Sequence, residues 1–197
     1  MSWIFEAFLW ITGWEIEGER PRAKKLVLIA APHTSNWDLA YLLALAARYR
    51  IKPYWMGKHT LFRPPFGWLL RRLGGIPIRR HLRENVVEQM TRAFAERDEL
   101  CLTVPPEGTR GRAPHWKSGF YHIARGARVP IVLGYLDYAR KRGGFGPELH
   151  PTGDLAADMD RIRAFYADKV GKYPDCFGEI RLREEDAPPT AAAGGSR

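Results

Sequence analysis

Two hydrophobic rhythms alternate along the chain. Lys25-Leu26-Val27-Leu28-Ile29-Ala30-Ala31, apolar from Leu26 onward and stopped by Pro32, has the pattern of a strand buried on both faces. Trp37–Tyr49 follows with helical spacing and a cap candidate in Ser35 or Asn36. Lys52–Gly57 and Gly75–Ile78 read as short strands, and Pro77 assigns the second to an edge or an irregular position. Glu84–Arg97 predicts a helix with Val86, Val87, Met90 and Phe94 on one side. Beyond it come a strand at Leu100–Val104, a helix at Gly119–Gly126, a strand at Pro130–Tyr138 and an amphipathic helix at Leu155–Val170. Strands alternating with helices predict an α/β domain, a central sheet with helices on its faces.

Composition narrows this picture. A chain of 197 residues with 45% hydrophobic residues suits one globular domain. The formal charge is +9, and the body up to residue 183 is more basic still, because Glu184, Glu185 and Asp186 follow it. Such a body attracts polyanions: nucleic acid, an anionic membrane or phosphorylated small molecules. Cys101 and Cys176 have no metal-type spacing, and Cys101 lies in an apolar run as a buried thiol, so a reducing cytoplasm fits better than a disulfide framework. No uninterrupted apolar run approaches the length of a spanning helix, and no basic residue precedes the first apolar stretch as in a signal peptide. That stretch, Trp3–Ile11, is dense in aromatics and suits either a core-packed helix or an interfacial anchor. The expected organisation is an N-terminal interfacial segment (1–14), a main domain (15–183) and a disordered tail (184–197) that is rich in Ala, Gly and Pro from Ala187.

Three segments carry candidate chemistry. The first is Pro32-His33-Thr34-Ser35-Asn36-Trp37-Asp38, where a buried strand ends and a helix begins. His33 in the loop and Asp38 in the first helical turn can face each other, the carboxylate fixing one imidazole nitrogen and leaving the other as a base. A capping histidine beside a helix-stabilising aspartate is the bland alternative. The second is a block from Arg48 to Arg83 with ten Lys or Arg and no acid, interleaved with Phe62, Phe66 and Trp68. This suits single-stranded nucleic acid, acidic headgroups or a phosphorylated lipid. The third is Pro105-Pro106-Glu107-Gly108-Thr109-Arg110, a rigid loop after a strand that presents Glu107 to orient a cation or hydroxyl and Arg110 to grip phosphate. Ser118 lacks a nucleophile-elbow context, and the chain has no phosphate-loop, dinucleotide or zinc signature. Of six histidines, His59, His81, His115, His122 and His150 read as surface or structural.

Taken together these segments resemble the glycerol-phosphate and lysophosphatidate acyltransferase family, from about Lys25 to Leu133. The family's H-x-x-x-x-D block looks like His33 to Asp38. Its second block looks like Gly57-Lys58, Pro65, Gly67 and Ile78-Arg79-Arg80, its third is Pro106 to Arg110, and its fourth looks like Val129-Pro130-Ile131-Val132. Pro32, Arg79 and Leu133 stand where many members carry Asn, Asp and Pro. The resemblance implies a mixed central sheet flanked by helices. It also implies acyl transfer from acyl-CoA or acyl carrier protein to a lysolipid hydroxyl, with no metal and no other cofactor. It makes His33 the general base oriented by Asp38, and Lys58, Arg80 and Arg110 ligands of an acceptor phosphate, with Glu107, Gly108 and Thr109 shaping the loop. The implied partners are the acyl donor and the lysolipid. The aromatic Trp3–Trp14 segment and the basic Arg48–Arg83 block add an anionic membrane, no nucleic acid is expected, and the expected location is cytoplasmic, peripheral on the inner face of the cell membrane. A basic nucleic-acid- or lipid-binding protein without catalysis remains the alternative.

Overall fold

The computed structural model describes residues 2–79 and 85–186. Seven strands form one sheet: β1 (Glu15–Glu17), β2 (Lys25–Ala31), β3 (Pro53–Lys58), β4 (Gly75–Ile78), β5 (Leu100–Val104), β6 (Ile131–Asp137) and β7 (Arg142–Leu149), in the order β1-β7-β6-β2-β5-β3-β4. All neighbours run parallel except β6 and β7, which form an antiparallel hairpin, so the sheet is mixed. β4, the strand containing Pro77, lies at one edge, where a missing N–H costs no ladder bond.

The central strand β2 pairs with β5 and β6 and is apolar after Lys25, as suits a strand with both faces covered. Val27, Ile29 and Ala31 pack on one side with Met90 and Phe94 of α4 (Val86–Ala95), Phe120 and Ile123 of α5 (Gly119–Ala127), and Met159 and Ile162 of α6 (Leu155–Tyr166). Leu26 and Leu28 face the other side, where Phe145 lies beneath Leu42 of α2 (Trp37–Arg48). Each fully buried Val, Leu, Ile, Met or Phe side chain among these contributes roughly 1.5–3 kcal/mol. A capping box closes the start of α4, where Asn85 accepts from Glu88 N–H at 2.9 Å and Glu88 accepts from Asn85 N–H at 3.2 Å.

The N-terminal helix α1 (Ser2–Thr12) leans on α2. Leu9 and Trp14 are buried against Tyr41, Ala44 and Leu45, and Phe5 and Phe8 pack beside them. The opposite side exposes Trp3, Ile4, Trp10 and Ile11, with Trp10 82% exposed. Helix α3 (Gly67–Arg72) exposes a second aromatic group, Phe66 and Trp68, next to Arg63, Arg71 and Arg72. Gly67 opens α3 because a Cβ there would lie 2.0 Å from the Phe62 carbonyl oxygen. Among the described residues no helix is long and apolar enough to cross a membrane.

Arg183–Asp186, where the disordered tail is expected to start, forms a 3-10 turn fixed by ion pairs. Asp186 meets His115 at 2.6 Å, Glu185 meets Arg163 at 2.8 Å, and Glu184 accepts from the Ser118 hydroxyl. These acids are held because the body is basic where they land. The Ala- and Gly-rich stretch 187–197 lies outside the described residues.

Candidate active site

β2, β5 and β6 are mutually parallel, so their C-terminal ends deliver their loops to one side of the sheet. After β2 the chain turns through Pro32 and presents His33, and α2 then starts at Trp37 with Asp38 in its first turn. The structure brings the pair together, with His33 Nδ1 3.2 Å from Asp38 Oδ2. An ionised carboxylate only accepts, so Nδ1 carries the proton and Nε2 is left as the basic nitrogen.

Asp38 is 5% exposed and fully engaged. Its Oδ2 accepts from the backbone N–H groups of Thr34 and Ser35, each at 2.9 Å, and its Oδ1 from the Tyr138 hydroxyl at 2.6 Å. Burial alone would raise this carboxyl, but hydrogen bonds from His33, Tyr138 and Ser35 outweigh it and hold the group below its ordinary value. The expected Ser35 or Asn36 cap takes another form. Asn36 at the N-cap position is itself helical and makes no side-chain cap bond, while Ser35 Oγ accepts from Trp37 N–H at 3.2 Å. Asp38, reaching back from inside the helix, gathers the loop's N–H groups instead.

The loop after β5 supplies Glu107. Gly108 turns it with φ +67°, a conformation that favours glycine, and Lys117 N–H bonds the Pro106 carbonyl at 2.8 Å. Glu107 points inward, 3% exposed, and its two oxygens accept from the His33 backbone N–H at 3.1 and 3.0 Å. Burial pushes its carboxyl up to about 7, against the pull of the His33 N–H and ring, with Asp38 adding to the rise. Thr109 and Arg110 are exposed at the loop tip, and Thr109 Oγ1 accepts from Gly111 N–H at 3.2 Å. Lys58 is exposed at the end of β3, and Arg80 lies outside the described residues.

Beneath His33 a cavity of about 520 Å³ opens between the sheet and α2. Its walls are Leu28, Leu42, Leu45 and Phe145, its outer edge Leu39, Leu43 and Leu73, and Asp38 and Arg110 join His33 in its lining. Leu39, Leu43 and Leu73 are also exposed, so the cavity opens sideways as well as at the histidine. Lys58 does not line it. Cys101 is buried in β5, its thiol pushed up to about 12 by burial. Among the described residues no cluster of three His, Cys, Asp or Glu side chains is arranged to hold a metal ion.

Two contributors escaped the sequence reading. Tyr138 arrives from the end of β6, a lone tyrosine with no motif around it. The segment after α6 braces the loop from outside: Tyr173 N–H donates to Thr34 Oγ1 at 3.2 Å, and Gly171 sits so close that a Cβ there would lie 2.8 Å from Thr34 Oγ1.

The sequence profile of the Acyltransferase family matches residues 14–133, more than half of the chain. No curated protein matches it by sequence. Among solved structures it is similar to the 1-acyl-sn-glycerophosphate (LPA) acyltransferase PlsC from Thermotoga maritima. That match has a TM-score of 0.57 at 17% identity and covers 87% of this chain and 80% of that one. The shared architecture is the mixed sheet between two helical layers, and the profile match includes His33, Asp38, Lys58, Glu107 and Arg110. The chain belongs to the acyltransferase family.

Proposed function

We propose that this protein moves a fatty acyl group from acyl-CoA or acyl carrier protein to the hydroxyl of a lysophospholipid acceptor such as lysophosphatidate. The observation that carries the reading is the apolar cavity that ends at the His33–Asp38 pair with Arg110 beside it. Its leucine walls suit an acyl chain, its volume lies in the range of small-molecule sites, and the guanidinium suits an acceptor phosphate. The Thermotoga maritima protein of the same fold is a 1-acyl-sn-glycerophosphate (LPA) acyltransferase.

In this mechanism His33 Nε2 takes the acceptor hydroxyl's proton as the oxygen attacks the thioester carbonyl. Asp38 balances the imidazolium that forms. The tetrahedral intermediate collapses, its C–S bond breaks, and the leaving thiolate receives the proton from the imidazolium. Atoms balance as thioester plus alcohol to ester plus thiol, with no covalent enzyme intermediate and no role for either cysteine. Glu107 acts from behind by holding the His33 backbone, and Arg110 with Lys58 and Arg80 attracts the phosphate.

The same reading docks the protein on the anionic inner face of the cell membrane. Trp3 and Trp10 of α1 and Phe66 and Trp68 beside α3 supply the interfacial aromatics, and the cations of 48–83 supply the charge. The exposed Leu39, Leu43 and Leu73 suit a cavity that receives its chain from the lipid side. The test is product analysis by mass spectrometry, offering each donor in turn with lysophosphatidate and with monoacylglycerol. Acylated lysophosphatidate is the expected product, with monoacylglycerol much poorer. Free fatty acid alone would mean thioester hydrolysis, and equal use of both acceptors would remove the phosphate from the proposal.

A further inference from the structure

The two oxygens of Asp38 are unequally served. Oδ2 receives Thr34 N–H, Ser35 N–H and His33 Nδ1, whereas Oδ1 receives the Tyr138 hydroxyl, its one donor among the described residues. A carboxylate turns easily about its last torsion, which has a broad profile. The donors on Oδ2 set the plane of the group from one side, and the bond on Oδ1 locks it from the other. Oδ1 is also buried with its residue, so losing that donor would leave a charged acceptor without a partner.

Tyr138 is itself held in place. Its ring meets Trp14 edge-on with centroids 4.9 Å apart and Tyr41 at 5.8 Å, and Trp14 stacks on Tyr41 at 4.1 Å. Its backbone N–H donates to the Val170 carbonyl at 2.9 Å, in the segment whose Gly171 and Tyr173 brace Thr34. The turn that follows is fastened by Arg140, whose guanidinium bonds Asp137 at 2.9 Å and Asp168 at 3.0 Å. Burial first, and then the Asp38 carboxylate that accepts its proton, hold the phenol well above its ordinary value, so it stays a donor.

We propose that Tyr138 is a positioning residue for the dyad: its hydroxyl, donated to Asp38 Oδ1, satisfies that oxygen and locks the carboxylate against which His33 Nδ1 is held. This role rests on the acyl-transfer reading for its consequence in turnover, and on the geometry alone for its effect on His33. Tyr138 lies beyond residues 14–133, so the support comes from the hairpin and the C-terminal segment outside the family-matched stretch.

Tyr138→Phe removes one oxygen and keeps the ring among Trp14 and Tyr41. A lost hydrogen bond to a charged group predicts a fall in kcat of about ten- to a hundredfold, with the KM for the acyl donor nearly unchanged and thermal unfolding cooperative. In an Asp38→Ala background the same change should cost no more than about twofold, because the carboxylate that Tyr138 holds is gone. The second readout needs no substrate. In protein labelled with nitrogen-15 histidine, the wild-type His33 Nδ1 proton, held on Asp38, gives a downfield resonance that Tyr138→Phe shifts or broadens. Unchanged kcat with an unchanged resonance overturns the proposal, and so does a loss in kcat that multiplies in full with Asp38→Ala. If the wild type acylates nothing, the acyl-transfer reading fails, and the resonance alone decides the role of Tyr138.

Discussion

Asp38→Asn separates two roles that a dyad carboxylate can play, holding a tautomer and balancing a charge. An amide in place of the carboxylate could turn its NH2 toward His33 and stabilise the wrong imidazole tautomer. Here the neighbours forbid that. Thr34 and Ser35 each point an N–H at the Oδ2 position from 2.9 Å, so the amide oxygen must stay there and remain the acceptor for His33 Nδ1. The NH2 then falls at Oδ1, where the Tyr138 hydroxyl can rotate to accept from it. The tautomer survives and only the charge is lost. At a separation of 3.2 Å and an effective dielectric of about 20, the charge pair is worth on the order of 5 kcal/mol. Water reaching the quarter-exposed imidazole and the remaining amide dipole reduce this to roughly 3–4 kcal/mol. That is about 10²–10³ in kcat, with the KM of both substrates little changed. Steady-state kinetics on Asp38→Asn and His33→Ala, both checked for folding by circular dichroism, make the comparison. Turnover within about threefold of wild type would refute the charge-balancing role, and a fall of about 10⁴ would show that the amide does not stay pinned.

Glu107 predicts a pH dependence of stability. Its folded value of about 7 exceeds its ordinary 4.5, so its contribution is complete below pH 4.5 and is lost as pH rises through about 7. The loss is on the order of 3 kcal/mol, and chemical denaturation across this range should find it in wild type and absent in Glu107→Gln; parallel profiles would contradict it. Arg110→Ala should raise the KM for lysophosphatidate about tenfold or more, and Lys58→Ala less, because Arg110 lines the cavity and Lys58 does not; an equal effect on the acyl donor would point elsewhere. Liposome co-sedimentation should weaken in Trp10→Ser and in Trp68→Ser, rise with anionic lipid and fall with salt. Equal binding to neutral and anionic vesicles would contradict the charge contribution.

The central part of the fold was legible because its chemistry is local. A short apolar run with Val27 and Ile29, stopped by Pro32, has the length and composition of a doubly buried strand, and residues 33 and 38 straddle the loop-to-helix junction that lets their side chains meet. β7 was not legible, because Arg142–Leu149 holds three glycines and a proline, residues poor in strand propensity. The structure gives the reason for one of them: a Cβ on Gly144 would lie 1.8 Å from the Glu17 carbonyl oxygen of β1. Glu107 was legible as a site residue but not its direction, since a loop motif does not reveal that its carboxylate turns inward onto the His33 backbone. The acids 184–186 resembled a tail by composition, and only the tertiary fold brings His115, Arg163 and Ser118 to them. Tyr138 carries no local signal, because its role exists only through a contact across a hundred residues of sequence.

In the proposed reaction His33 is the base that moves an acyl chain onto a lipid hydroxyl. Its most direct test is single-turnover product analysis by mass spectrometry, with lysophosphatidate and an acyl thioester supplied to wild type and to folded His33→Ala. Wild type should yield the diacylated phospholipid, and His33→Ala should form it slower by roughly 10²–10⁴. The diacylated product forming at the same rate in both proteins, or in neither while the thioester is merely hydrolysed, would contradict the account.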